Sequence, residues 1–66
     1  MELIISKHAR DMMTIRGIDE EQIKKVVKRG SKTKQTDGLL ATYTYMAVAY
    51  KVREDKYIIK TVEVLD

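Results

Sequence analysis

The sequence predicts an α+β domain in which two short N-terminal helices pack on one face of an antiparallel β-sheet. The first observation is that helix start and stop signals all fall within residues 1–30. The second is that β-branched and aromatic residues, separated by short turn signals, dominate the chain from Ser31 onward. Helical segments followed by a run of strands are typical of this fold class.

Length and composition indicate one globular domain that spans residues 1–66. Apolar residues make up 44% and charged residues 35% of the chain, as in folded proteins. A chain this short buries only about 60% of the surface that its unfolded form exposes, so a homodimer is one expected source of extra stability. With one histidine and no cysteine the chain lacks ligands for a structural zinc, and we expect no metal or cofactor.

We expect a cytoplasmic protein that makes no use of a membrane. No apolar run approaches the ~18 residues of a membrane span, and the N-terminus lacks the basic region of a signal peptide. The absence of cysteine fits a reducing compartment. The net charge of +3 permits a polyanionic partner without requiring one.

The N-terminal segment predicts a short edge strand followed by a first helix. Residues 1–5 are apolar after Glu2. Ser6 is a suitable N-cap, because its hydroxyl accepts a backbone N–H that the helix leaves unpaired. The helix is then expected over Lys7–Arg16, with Gly17 as its stop.

The second helix has stronger end signals. Asp19 and Gln22 have the spacing of a capping box, and Ile18 with Ile23 has that of a hydrophobic staple. Gly30 is suited to the left-handed position that follows many helices. An acidic first turn and a basic last turn match the helix dipole.

The remaining residues predict strands joined by tight turns. Asp37 and Gly38 form the dipeptide of a type I′ hairpin turn. The run over 39–53, rich in β-branched and aromatic residues, is longer than one ordinary strand, so a turn or bulge is expected near 45–47. The last strand is expected over 56–65, after a turn that contains no glycine.

His8 and two strand-borne cations are the leading candidates for chemistry. At the second helical position His8 lies near the positive end of the helix dipole, which favours the neutral ring that a general base requires. The alternative is a histidine that only packs on the sheet. Lys51 and Arg53 share a sheet face with Ala47 and Ala49, which predicts a flat cationic surface for a nucleic acid backbone. The lysines of the second helix are more typical of a solvated face.

Other patterns narrow the chemistry further. The chain has no glycine-rich phosphate loop, and its aspartates are scattered among caps and turns, so a two-metal carboxylate site is not expected. Any catalysis is therefore predicted to be metal-free. The four tyrosines lie in predicted strands, where base stacking is one role and core packing, expected for at least two of them, is the other.

Several short segments together resemble a known family. They are the run Ile-Ser-Lys-His-Ala-Arg that opens the first helix, the Arg-Gly-Ile junction at 16–18, the run Lys-Thr-Lys-Gln-Thr-Asp-Gly at 32–38, and a threonine in the last strand. In this order and spacing they resemble the DUF4258 family, small bacterial and archaeal domains related to the RelE/ParE toxins and to the wider barnase-like ribonuclease fold. The resemblance covers nearly the whole chain.

The resemblance implies a curved antiparallel sheet, here of three to four strands, that carries the two helices. It also implies metal-independent RNA cleavage by a toxin that an antitoxin protein holds in check, with the ribosome as a possible site of action. Matched by position, the catalytic residues are His8, Arg16 and Thr61, with Tyr50 a weaker match. Similar sequences have an arginine where this chain has Met12.

Three hypotheses follow for the function. The first is a toxin-type ribonuclease, in which cations hold the phosphate charge and His8 moves the proton; this role requires the first helix to lie on the sheet face that carries Lys51. The second, favoured by Met12, is a non-catalytic module that binds a protein partner or nucleic acid. The third is a structural dimerising domain. The residues predicted to contact RNA are Lys7, Arg10, Lys51, Arg53 and Tyr50.

Overall fold

A computed structural model of the chain describes residues 1–65. The elements follow one another in the order β1 (Glu2–Ile5), α1 (Lys7–Arg16), α2 (Glu20–Arg29), β2 (Ser31–Gln35), β3 (Gly38–Tyr43), β4 (Met46–Arg53) and β5 (Lys56–Val64). The strands form one five-stranded sheet in the spatial order β1-β5-β4-β3-β2. Within residues 1–65 there is no helix with the length and apolar character needed to cross a membrane.

The predicted class, α+β, is correct, but the predicted architecture is wrong. The sheet is mixed and has five strands, instead of being antiparallel with three to four, and both helices lie between β1 and β2 of that sheet instead of forming an N-terminal pair packed on the later strands. The difference comes from β1, which pairs in parallel with β5 so that Ile5 lies beside Ile59. A four-residue apolar segment carries no signal for a partner more than fifty residues away or for the direction of pairing.

Both helices begin and end where their caps predict. The Ser6 hydroxyl accepts the N–H of Ala9, and α1 ends at Gly17. In α2 the Asp19 carboxylate accepts the N–H of Gln22, and the Gln22 side chain accepts the N–H of Asp19, which completes the predicted capping box. These signals act within four residues, so the sequence alone determines them.

Two glycine predictions are wrong in detail. Gly30 is extended, with φ of −73° and ψ of 162°, instead of left-handed. Glycine is needed there for space, because a Cβ would lie 2.6 Å from the carbonyl oxygen of Val26 and 2.7 Å from that of Thr42. The turn before β3 is not type I′, because a type I′ turn requires a positive φ at both central residues. Here the central residues are Thr36 and Asp37, and neither has a positive φ; the positive φ, 118°, is that of Gly38.

The core lies between the helices and one face of the sheet, which we call the helical face. Side chains from both helices pack there on alternate residues of the strands. The fully or nearly fully buried members are Ala9, Met13, Ile23, Val26, Val27, Ala41, Met46, Val48, Tyr50, Ile59 and Val62. The opposite face carries no helix, and we call it the open face.

Candidate nucleic-acid interface

The structure separates the residues that the sequence assigned to one catalytic pocket. On β4 the buried Val48 and Tyr50 point to the helical face, so Lys51 and Arg53 point to the open face. Thr61 pairs with Ala49 and therefore also lies on the open face.

His8 and Arg16 lie on the other side of the sheet. Both are exposed residues of α1, whose buried Ala9 and Met13 pack into the core on the helical face. The sheet stands between His8 and Lys51, so the structure does not bring the predicted base together with the predicted cations. The geometric condition for His8 catalysis, α1 on the face of Lys51, is not met.

Two of the residues predicted to contact RNA are engaged within the helical layer. Lys7 pairs with Asp11 one turn along α1, with 3.3 Å between the charged atoms. Arg10 pairs with Glu20 at the start of α2, at 3.7 Å. Both pairs are exposed, so each is a weak contact that a stronger anion can displace.

Tyr50 lies in the core, so its ring is not presented to a ligand on the surface. Its exposed fraction is 3%, and its ring lies against that of Tyr57, with 5.9 Å between the ring centroids. Burial, and secondarily charge repulsion from the phenolic group of Tyr57, raises the pKa of Tyr50 above its ordinary value. Core packing and cross-strand pairing, one of the two roles considered for the tyrosines, is the role this residue has.

Two of the open-face cations, Lys51 and Lys60, share one carboxylate. Asp37, in the turn between β2 and β3, lies 3.6 Å from the Lys51 ammonium group and 3.5 Å from that of Lys60. Lys60 also donates a hydrogen bond to the Asp37 carbonyl oxygen. The charge of Lys51, with that of Lys60, holds the pKa of the Asp37 carboxyl below its ordinary value. An anion from the chain itself therefore already occupies the place between these two lysines.

The open face and the two turns at its end are close to neutral as a whole. Four basic residues lie there with five acidic ones in residues 1–65. The basic residues are Lys51, Arg53, Lys56 and Lys60, and the acidic ones are Glu2, Asp37, Glu54, Asp55 and Glu63. The flat cationic surface expected around Lys51 and Arg53 is thus much weaker than the sequence pattern suggested.

The positive charge of the molecule is concentrated elsewhere, in residues 24–34. This segment has six basic residues and no acidic one, whereas the other fifty-five residues have seven basic and ten acidic. The excess positive charge of the chain therefore comes entirely from this segment. We call its six side chains the basic strip: Lys24, Lys25, Lys28, Arg29, Lys32 and Lys34.

The fold turns this segment into one continuous surface. Gly30 lets the chain pass directly from α2 into β2, the edge strand next to β3. Lys32 and Lys34 pair with Ala41 and Leu39, residues of the helical face, so their side chains project on the same side of the sheet as α2.

The strip is also largely free of internal partners. Lys24 lies 3.6 Å from Glu21, and the Lys32 ammonium group donates to the Gly30 carbonyl oxygen at 2.7 Å. The other four side chains make no ion pair with a carboxylate of residues 1–65 and are exposed. Uncompensated and solvated cations of this kind bind phosphate groups at little internal cost.

A cavity of about 230 Å³ lies beside the strip, between α2 and the turn that joins β3 to β4. Lys25, a member of the strip, is one wall. The complete lining is Gln22, Lys25, Val26, Tyr43, Thr44, Tyr45 and Met46. The lining of this half-open space thus includes two tyrosines, a glutamine, a threonine and a lysine.

Neither feature was selected by reasoning from the sequence. The strip could have been found there, because six cations in eleven residues without one carboxylate is a visible segregation of charge. The cavity could not, because it depends on how a turn folds against a helix twenty residues away. Among residues 1–65 there is no group of three or more side chains placed to hold a metal ion.

The chain was compared with protein families, with curated proteins and with solved structures. The family described as a domain of unknown function, DUF4258, matches residues 5–64. Neither a curated protein nor a solved structure matches the chain. The family match covers nearly all of the sequence and carries no statement of activity.

Proposed function

This chain belongs to the DUF4258 family, and we propose that it binds RNA through the phosphate backbone, with the basic strip as its contact surface. The observation that supports the proposal is the segregation of charge: residues 24–34 contain six cations and no acidic residue, in a chain whose other residues are net acidic. RNA is the polyanion that the resemblance to toxin ribonucleases implies. The function proposed is binding, the second of the three hypotheses.

Phosphate binding by such a strip has a measurable electrostatic signature. Each phosphate of a single strand that a cation neutralises contributes a slope of about −0.7 to the dependence of log K on log salt concentration. If all six side chains take part, the slope is about −4. A surface that binds through apolar contacts gives a slope near zero.

The test is fluorescence anisotropy with a labelled RNA oligonucleotide over a series of salt concentrations. The variant Lys28→Gln with Arg29→Gln removes two exposed charges and is expected to weaken binding roughly tenfold or more and to reduce the slope by about 1.4. The matched control is Lys51→Gln with Arg53→Gln, which removes the same two charges from the open face and is expected to change binding little.

The reverse result would contradict the proposal. If the open-face variant loses binding and the α2 variant retains it, the contact surface is the face first predicted from the sequence. If wild-type protein does not bind RNA at low salt, the proposed function is wrong. A single-stranded DNA of the same sequence tells whether the backbone alone is recognised or the 2′-hydroxyl as well.

RNA cleavage, an antitoxin partner, ribosome association and a homodimer stay predictions of the sequence. The same RNA, incubated in EDTA with wild-type protein and with His8→Ala, tests cleavage directly. Fragments that disappear in the His8→Ala variant would restore the catalytic hypothesis. The position of His8, across the sheet from Lys51 and Thr61, favours intact RNA in both incubations.

A further inference from the structure

Building on the proposed function, we infer that the cavity between α2 and the β3–β4 turn receives one unstacked base, so the ligand class is single-stranded RNA. The cavity adjoins the basic strip through Lys25, which belongs to both. A strand whose phosphates lie along the strip would therefore pass the mouth of the cavity. The lining residues can contact both the flat faces of a base and its polar edge.

Two aromatic side chains supply the stacking surfaces. Tyr43 and Tyr45 both line the cavity, and Tyr45 has an exposed fraction of 55%. A large aromatic ring left this exposed on a small domain is available for a ligand, and bases stack on such rings whatever their sequence. The Gln22 amide oxygen accepts the Asp19 N–H in the capping box, so the amide group at the wall has its N–H donors left for the edge of a base.

The size of the cavity fits a single ring system. At about 230 Å³ it is smaller than the ~300–1,000 Å³ of typical small-molecule sites. A base fits within such a space, whereas its sugar and phosphate would remain outside. The phosphate would then lie at the level of the Lys25 ammonium group and the strip.

The turn that carries Tyr45 is held in place in a strained conformation. Thr44 has a φ of 55°, which is rare for a β-branched residue, and its side chain lines the cavity. The N–H of Leu65, the residue after β5, donates to the Tyr45 carbonyl oxygen at 2.6 Å and so ties the turn to the end of the sheet. Strain of this kind persists where surrounding structure enforces it, and it is concentrated at ligand sites.

The base site also explains why a duplex would be a poor ligand. In double-stranded RNA the bases are paired and stacked inside the helix, where the ring of Tyr45 cannot reach them. A duplex would meet only the strip, through its phosphates. The prediction is therefore that single-stranded RNA binds more tightly than a duplex of the same sequence.

The experiment compares Tyr45→Ala, Tyr45→Phe and wild-type protein by anisotropy with single-stranded and duplex RNA. Tyr45→Ala is expected to weaken single-strand binding about tenfold, to leave duplex binding unchanged and to keep the salt slope. Tyr45→Phe keeps the ring and is expected to bind like wild type. Ile15→Ala is the matched control, because Ile15 is another large exposed side chain but lies on α1, outside the cavity.

The outcomes separate this inference from the proposed function. If wild-type protein binds RNA but Tyr45→Ala binds the single strand equally well, or if the duplex binds as tightly as the single strand, the base site is wrong and the basic strip stands. If Tyr45→Ala and Ile15→Ala weaken binding equally, the effect is not a stacking effect and the base site is again wrong. If the wild-type protein binds no RNA at low salt, both the proposed function and the base site are wrong.

Discussion

Asp37 is the residue that most alters the interpretation of the open face. Its carboxylate lies between the ammonium groups of Lys51 and Lys60, at 3.6 and 3.5 Å. The turn brings it there because Gly38 follows it: a Cβ on Gly38 would collide with the carbonyl oxygen of Tyr50 and lie 3.1 Å from the Cβ of Lys51. One glycine thus lets the turn approach β4 closely enough for Asp37 to pair with Lys51, one of the two cations that the sequence singled out.

The pKa of Asp37 provides a test of this contact. We expect a value below the ordinary 3.8, because Lys51, and then Lys60, stabilise the carboxylate. Lys51→Gln and Lys60→Gln should each raise it, and the double variant should raise it most. A carboxyl-carbon NMR titration measures the value in each protein, and a pKa that neither substitution moves would show that the contact is absent in solution.

The same contact has a defined effect on stability with pH. The pKa of Asp37 is lower in the folded chain than in the unfolded chain. The contribution of Asp37 to stability is therefore present above its unfolded pKa and is lost as the pH falls through its folded pKa.

The pKa of Tyr50 is raised instead. The contribution of Tyr50 to stability is therefore present below 10.0 and is lost as the pH rises through its folded pKa.

The turn between β3 and β4, which carries part of the proposed site, has a backbone conformation that lowers the stability of the protein. Thr44 has a φ of 55° and Glu54, in the turn between β4 and β5, a φ of 59°. An L-residue in this region costs about 1–2 kcal/mol. Neither turn contains glycine, which would adopt the conformation without that cost.

Thr44→Gly is therefore expected to stabilise the protein. The gain should be about 0.5–1 kcal/mol, which is the cost of a left-handed L-residue less the extra entropy of an unfolded glycine. Urea denaturation followed by circular dichroism measures it. Glu54→Gly, with the same φ in a turn outside the cavity, is the control and should gain a similar amount; a gain for Glu54→Gly alone would mean that Thr44 is not strained.

The elements differ in how well the sequence predicts them. An element is predictable when the residues that determine it lie close together in the sequence. The bounds of α1 and α2 follow from caps that act within four residues, and both were predicted correctly. The break near 45–47 was also found, as a turn whose last residue is Tyr45. The parallel pairing of β1 with β5 was not, because it depends on contacts between opposite ends of the chain.

The candidate site divides in the same way. Charge segregation is a property of the sequence, so the strip is visible before folding, although its position beside a cavity is not. The cavity exists because Gln22 and Lys25 of α2 lie against the residues of a distant turn. Whether His8 and Lys51 lie on the same side of the sheet likewise depends on the sheet topology, which the sequence does not reveal.

At the scale of the whole molecule, the two faces of the sheet differ in packing and in charge. The helical side contains the core and, on its outer surface, the basic strip, whereas the open face has nearly balanced charge. A polyanion is therefore attracted more strongly to the helical side than to the open face. This asymmetry makes the matched pair of charge variants informative, because the same charge is removed from each side in turn.

The three parts of the fold meet at Ile59. It is fully buried, lies beside Ile5 of the parallel strand β1, and pairs with Tyr50 of β4. Its carbonyl oxygen accepts the N–H of Ser6, the cap of α1. A chain of 66 residues has a total stability of only about 3–10 kcal/mol, so one such junction accounts for much of it.

Ile59→Ala is accordingly expected to lower the free energy of unfolding by about 3 kcal/mol, because it leaves a cavity where β1, α1 and the antiparallel strands join. Ile15→Ala removes the same atoms from a side chain that is 74% exposed and should cost less than about 0.5 kcal/mol. Urea denaturation measures both, and a smaller m-value for Ile59→Ala would show that β1 has already separated before the main transition. Equal losses for the two variants would contradict the burial of Ile59, and with it the parallel pairing that closes the sheet.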